Sequence, residues 1–355
     1  MLARSKLTLF AMLLAIFIAS RFSALVTPYY YDILISIGVN IILATSLNLV
    51  NGYTGQFSLG HAGFMSVGAY AAASFTTYGT GFLGSLTRLS VGWCAALSSH
   101  TPGFLGGFVT RLGPYVSVSI YFGLALLVGG LAAGLAGLLV GIPSLRLKGD
   151  YLAIVTLGFG EIIKVIIENV DALGGSRGLS VDSQYTNLFW VYATAAITVY
   201  VVLSLVNSTY GRGFLTVRDD EIAAEAIGIN TTKYKVLAFT LAAFFAGIAG
   251  GLYAHFKQYI NPEGFNFLRS VDIVTMVILG GMGSTAGVVI AAILLTILPE
   301  CLRAVSHWPF LPHWLGPLLE NRMIPYSLLL IILMLTRPQG LFGGTRFHRA
   351  KRSKA

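Results

Sequence analysis

Charge is what this sequence has least of. Asp, Glu, Lys and Arg make up 10% of its 355 residues, against roughly 25% in a soluble domain. So few charges cannot coat a water-facing surface, which excludes a soluble enzyme of this size. Cysteine is almost absent: Cys94 and Cys301 rule out a disulfide framework and leave open a single bridge or two free thiols. The six histidines form no ligand set, since no second His, Cys or acid stands at metal-binding spacing from His61. None of the eight lysines follows a glycine, so no Walker A motif exists and any ATP chemistry must reside on another chain. Short alternating segments are missing too, which argues against a β-barrel.

Hydrophobic residues fill the space, at 55% of the chain with a mean hydropathy of +0.77. Uncharged runs separate Asp32 from Arg88, Arg111 from Arg146, Asp182 from Arg212, Lys235 from Lys257 and Asp272 from Glu300. A membrane-crossing helix needs about 20 mostly apolar residues. The fold class is therefore all-α, a polytopic helical membrane protein. Ten transmembrane helices are expected, over about 7–20, 31–50, 57–78, 115–140, 151–168, 188–206, 236–256, 270–281, 285–302 and 323–336. Glycine-rich breaks near 52–60 and 280–284 leave short or broken helices there. Residues 79–114 read as an outer loop, 207–235 as a hydrophilic loop, and 341–355 as a basic tail beyond a single membrane domain, 1–340. Among the 41 glycines, the pairs Gly130/Gly134, Gly137/Gly141, Gly247/Gly251 and Gly283/Gly287 have the spacing of close helix contacts.

With both termini inside, 14 basic residues lie on the cytoplasmic side and eight, Arg269 among them, outside. Six of the 14 belong to the tail from Arg337 onward, so the orientation rests mainly on that tail.

Within 207–235, Arg218 to Gly228 reads as one short helix. Asp219, Asp220 and Glu221 suit its positive end and Gly228 its stop, with Ile222, Ala226 and Ile229 as a narrow apolar stripe. Such a helix either seats in a groove on a partner or lies against its own bundle or the membrane.

Ala223-Ala224 followed by Gly228 resembles the end of the EAA signature (Glu-Ala-Ala-x-x-x-Gly) of ABC-transporter permeases, with Ile222 at the Glu position and Glu221 one place earlier. Leu47 to Phe64 (LNLVNGYTGQFSLGHAGF), continuing to Gly68-Ala69-Tyr70, resembles the branched-chain amino acid permeases. Gly149 to Ile163 (GDYLAIVTLGFGEII) is similar to the LivM-type half, and Gly280-Gly281-Met282-Gly283-Ser284 with Leu298-Pro299-Glu300 resembles that family too. The likeness covers roughly 30–340 and lapses in 79–114 and 303–322. It implies a non-catalytic permease subunit of an ATP-driven importer for branched-chain amino acids in the bacterial inner membrane. The implied partners are a second related permease, two ATP-binding subunits and a periplasmic solute-binding protein; no nucleic acid is among them. The docking surface for the ATPase subunits would comprise Arg218, Asp219, Glu221, Ala223, Ala224 and Gly228.

Polar residues inside apolar spans are the candidates for the pathway: Asn48, Gln56, Ser58, His61 and Glu161. The first four gather at the glycine-rich break, either as a gate or as a polar turn fixing two helices. Glu161, Lys164 and Glu168 share one helix face, which reads as conduit lining or as an internal ion pair, and Asp272 reads as interfacial. Gly174-Gly175-Ser176-Arg177-Gly178 fits the Gly-x-Ser-x-Gly pattern, which requires a preceding strand; a glycine turn is the plainer reading. The alternatives to the importer are the same machine for urea or short amides, a self-sufficient ion-coupled carrier working through Glu161, and a membrane hydrolase using Ser176.

Overall fold

The computed structural model describes residues 12–18, 20, 27–79, 81–85, 87, 103–145, 147, 149–181, 183–306, 327, 328, 331, 332, 335, 336 and 340, with backbone alone for 103–114 and 304–306. Its long helices are α1 (Pro28–Asn48), α2 (His61–Tyr78), α3 (Gly103–Ser144), α4 (Asp150–Glu168) and α5 (Leu188–Val206). Two short helices follow, α6 (Thr209–Asp219) and α7 (Glu221–Ala226). Then come α8 (Thr231–Lys257), α9 (Phe267–Gly280) and α10 (Thr285–Ser306). Two-residue strands, β1 (Leu179–Ser180) and β2 (Tyr259–Ile260), pair antiparallel at one end of the bundle.

Among the described residues, five segments are long and apolar enough to cross a membrane: Pro28–Tyr53, Tyr115–Ser144, Leu188–Val206, Thr231–Lys257 and Thr285–Arg303. Helices α2, α4 and α9 occupy three further expected spans; α9 is short at 14 residues and α4 carries Glu161, Lys164 and Glu168. The first and last expected spans fall largely outside the described residues, although 12–18, 327 and 328 are helical. The tail 341–355 and Cys94 also lie outside them, while Cys301 is exposed and free.

Local sequence explains where helices begin. Asn187, Asp220, Asn230 and Asn266 each place a side-chain oxygen on the first free backbone amides of α5, α7, α8 and α9, and Pro28 opens α1. Residues 103–114, expected in a loop, instead form the first turns of α3. The glycines in Gly106-Gly107 and the Gly113-Pro114 step look like breakers, yet neither ends the helix.

The centre of the bundle is α2, α3 and α8, held at backbone contact by glycine. A Cβ on Gly68 would stand 2.1 Å from the Gly247 Cα, one on Gly247 2.6 Å from the Gly129 carbonyl, and one on Gly129 2.7 Å from the Gly68 carbonyl. Gly137 takes the Ala243 methyl in the same seam, so the glycine pairs of α3 and α8 do mark a helix contact. Gly283 does not: it lies in the turn before α10.

Candidate functional site

Two glycine breaks meet at one end of the bundle. After Asn48 the chain winds one π-helical turn, Leu49–Tyr53, and runs irregularly from Thr54 to Gly60 before α2. The α9–α10 turn packs against this break. The Gly283 amide donates to Asn48 Oδ1 at 2.9 Å, and Tyr53 and Thr285 hydroxyls hydrogen-bond at 2.8 Å. Only glycine fits at 52, because a Cβ there would lie 2.1 Å from Asn48 Oδ1 and 2.3 Å from the Gly283 nitrogen. Inside the break, Thr54 donates to the Val50 carbonyl at 2.7 Å and the Ser58 amide to Asn51 Oδ1 at 3.2 Å. The Leu59 amide reaches Thr156 on α4 at 3.1 Å.

The hydrophilic loop is tied to the same place. Arg218 Nη1 donates to the Gly52 carbonyl at 3.4 Å, and its Nη2 pairs with Asp219 at 2.9 Å. Where one helix was expected from Arg218 to Gly228, there are two: Arg218 and Asp219 close α6, and Asp220 caps α7 by accepting from the Ile222 and Ala223 amides at 2.9 and 3.0 Å. The extended Asp220 backbone breaks the helix, since its side chain competes for those amides. Lys235 of α8 clamps α7 through Glu221 at 2.6 Å, and Glu225 accepts from Thr231 at 2.8 Å. Ala224 is fully buried, so it seats α7 rather than facing outward. Ile222 and Ile227, at 74% and 72% exposure, form the outward apolar face with Ala223 and Ala226; Ile229 is half-buried. Gly228 ends the unit in the left-handed region with open space around it.

Three sequence candidates therefore come together. Asn48 and Arg218 meet at Gly52, and Gln56 borders a cavity of about 210 Å³ with Arg218, Asp220, Glu221 and Lys235. Both amide atoms of Gln56, and the amide nitrogens of Asn48 and Asn51, are buried without a protein partner. Ser58 and His61 are also buried, with His61 Nε2 3.0 Å from the Ser46 hydroxyl. Glu161 stands apart, half-buried on α4, one residue from the Gly160–Gly63 crossing, while Lys164 pairs with Glu168 at 3.7 Å. Among the described residues no group of His, Cys, Asp or Glu is arranged to hold a metal. Ser176 lies in a 3-10 turn between glycines with no strand before it, so the elbow pattern is a loop.

A second polar group went unread in the sequence. Arg269 Nη2 donates to Asn40 Oδ1 at 3.0 Å, and Asn40 Nδ2 donates to Thr296 at 2.8 Å, joining α9, α1 and α10. Asn40 lies 12 residues into the Pro28–Tyr53 span, about 18 Å from its start at 1.5 Å per residue. Helix α9 thus begins near mid-depth, and the Ala62 amide, donating to Ser270 at 3.1 Å, sets it there. Asp272, one turn deeper, is not interfacial, and Arg269 does not belong with the outer basic residues. The readable signal was an Arg and an Asp three apart on an otherwise apolar helix, with an Asn in the middle of α1.

Comparison with known proteins decides the family. The family model described as the branched-chain amino acid transport system / permease component matches residues 29–335. The chain belongs to that permease family. Its relatives include the high-affinity branched-chain amino acid transport system permease protein LivM of Salmonella typhimurium and of Escherichia coli K12. Each is 32% identical, with 97% of this chain and 76% of the relative covered. The probable LivM of Methanocaldococcus jannaschii is 28% identical over 87% of this chain and 92% of its own length. The LivH permease of Escherichia coli K12 is 30% identical over 42% of this chain and 44% of its own length. No solved structure matches. As a permease component the chain is a membrane-embedded, non-enzymatic transport subunit, and the three motif segments that resembled this family lie within the matched range.

Proposed function

We propose that this permease is one of two related transmembrane subunits of an ATP-driven importer of branched-chain aliphatic amino acids. It sits in the bacterial inner membrane with both termini and the α6–α7 loop facing the cytoplasm. Two ATP-binding subunits dock on α7 there, and a periplasmic solute-binding protein delivers substrate to the opposite face. ATP binds only to the partners.

One observation carries the docking assignment: Ile222 and Ile227 stand exposed on a loop otherwise hydrophilic, while Glu221–Lys235 and Arg218–Gly52 fasten that loop to the bundle. An apolar face on a tethered helix fits a groove on a partner. Displacement of α7 pulls on Arg218, hence on the break at Gly52 and on Gly283 beside it, so nucleotide state in the partner can favour one of two arrangements of the helices. Asn48 and Gln56 act in this reading as hinge groups at the inner mouth, Ser58 and His61 as packing above it, and Glu161 as a candidate wall residue.

The test is co-purification in mild detergent and uptake by the reconstituted complex. Ile222→Glu with Ile227→Glu should leave the permease inserted but lose the ATPase subunits. Retained assembly and uptake would overturn the docking assignment, and substrate accumulation by the lone chain on an ion gradient would favour an ion-coupled carrier instead. Uptake of urea or short amides in place of leucine would move the substrate class while keeping the machine.

A further inference from the structure

One face of α9 is only partly covered by the described residues, with Gly340 against its inner end at Ile278 and Gly281. Leu268 and Asp272 lie on it with Thr275 and Ile278 below, and Met282 continues the line past the helix end; Leu268 and Met282 are exposed and the other three half-buried. The remaining side, with Ser270, Ile273, Val274, Met276, Val277 and Leu279, is buried in the bundle. Asp272 makes no hydrogen bond or ion pair with another described residue, and Arg269 on the edge of the stripe uses one donor, on Asn40. A carboxylate near mid-depth is not stable against lipid tails, so water or another protein must cover this face. The chain therefore displays, on a lining it does not itself close, a guanidinium with spare donors and a carboxylate one helical turn apart.

We propose that Arg269 and Asp272 form a recognition station for the zwitterionic end of an α-amino acid in a water-filled pathway. Arg269 receives the substrate carboxylate with its remaining N–H donors, held in place by Asn40 and through it Thr296. Asp272 receives the substrate ammonium. Residues three apart on a helix have Cβ atoms about 5–6 Å apart, a span that an amino acid's adjacent carboxylate and ammonium can bridge. Leu268 and Ile278 give an aliphatic side chain apolar wall on either side, and a free carboxylic acid or a free amine satisfies only half of the pair. The proposal rests on the importer reading above, because the second permease subunit closes the pathway over this face.

The experiment uses the complete importer in lipid nanodiscs, with Thr275→Cys introduced into a chain carrying C94S and C301S. A charged, membrane-impermeant methanethiosulfonate should modify position 275. Leucine at about ten times its half-saturating concentration should slow that modification about ten-fold. Isocaproate, which lacks the ammonium, and isoamylamine, which lacks the carboxylate, should not protect, and adding Arg269→Gln should abolish protection by leucine. Ile278→Cys, one turn on, serves if the first variant fails to assemble. Modification only by a lipid-soluble reagent, equal protection by isocaproate, or protection that survives Arg269→Gln would overturn the station. If the native complex assembles and imports leucine while protection is absent, the station alone falls; if the complex does not assemble, the importer reading falls with it.

Discussion

Removing the carboxylate of Glu221 should release α7 without disturbing the bundle. Lys235 is 8% exposed at its side chain and Glu221 23%, with 2.6 Å between Nζ and Oε1. Breaking a buried ion pair from one side strands a charge and costs about 3–5 kcal/mol. Water reaches Glu221, so the lower figure, about 3 kcal/mol, applies; at 1.36 kcal/mol per decade it is about a hundredfold in the ratio of open to closed loop. Helix α7 has six residues and no stability of its own, so its position depends on its contacts with the bundle, of which this buried pair is the charged one. In hydrogen-exchange mass spectrometry of Glu221→Gln, amides of 221–227 should exchange about two orders of magnitude faster, and those around Gly68 and Gly247 unchanged. Replacing both partners by Met should recover most of the protection, since no charge is then left unpaired. Exchange in the single variant within about two-fold of the native rate would refute the tether.

Other outcomes follow from the packing. Gly68→Ala drives a methyl into the Gly247 backbone and should lower the unfolding temperature in detergent by several degrees, whereas Gly158→Ala, with nothing within 4 Å, should leave it unchanged or raise it slightly. Gly52→Ala should separate Asn48 from Gly283 and abolish leucine uptake while inserted protein remains, as read by transport against immunoblot in membranes. Ala224→Arg should make the α6–α7 loop sensitive to limited trypsin because the new side chain cannot be buried, while Ile222→Glu, already exposed, should not.

Much of the bundle was legible because its signals are local. Runs poor in charge mark α1, α5 and α8. Asn48 and Gln56 were readable as polar residues beside a glycine break and Arg218 as part of the hydrophilic loop, but the meeting of Asn48 and Arg218 at Gly52 depends on residues 166 positions apart. The helix over 103–114 was hidden by glycines and a proline that do not end it. Ala224 was misplaced because six residues of helix do not reveal which side a neighbouring helix covers. The depth of Asp272 was not in the pattern either: it stands at the start of an apolar run, and only the Arg269–Asn40 contact sets that start against the middle of α1.

The Gly68–Gly247–Gly129 seam has a mechanical consequence. Helices in backbone contact cannot slide without collision, so α2, α3 and α8 travel as one post through any transport cycle. Whatever rocks must rock about that post, and Lys235 roots α7 on it through α8. Paired probes within the post should keep one separation throughout, and any stroke is left to the helices outside it.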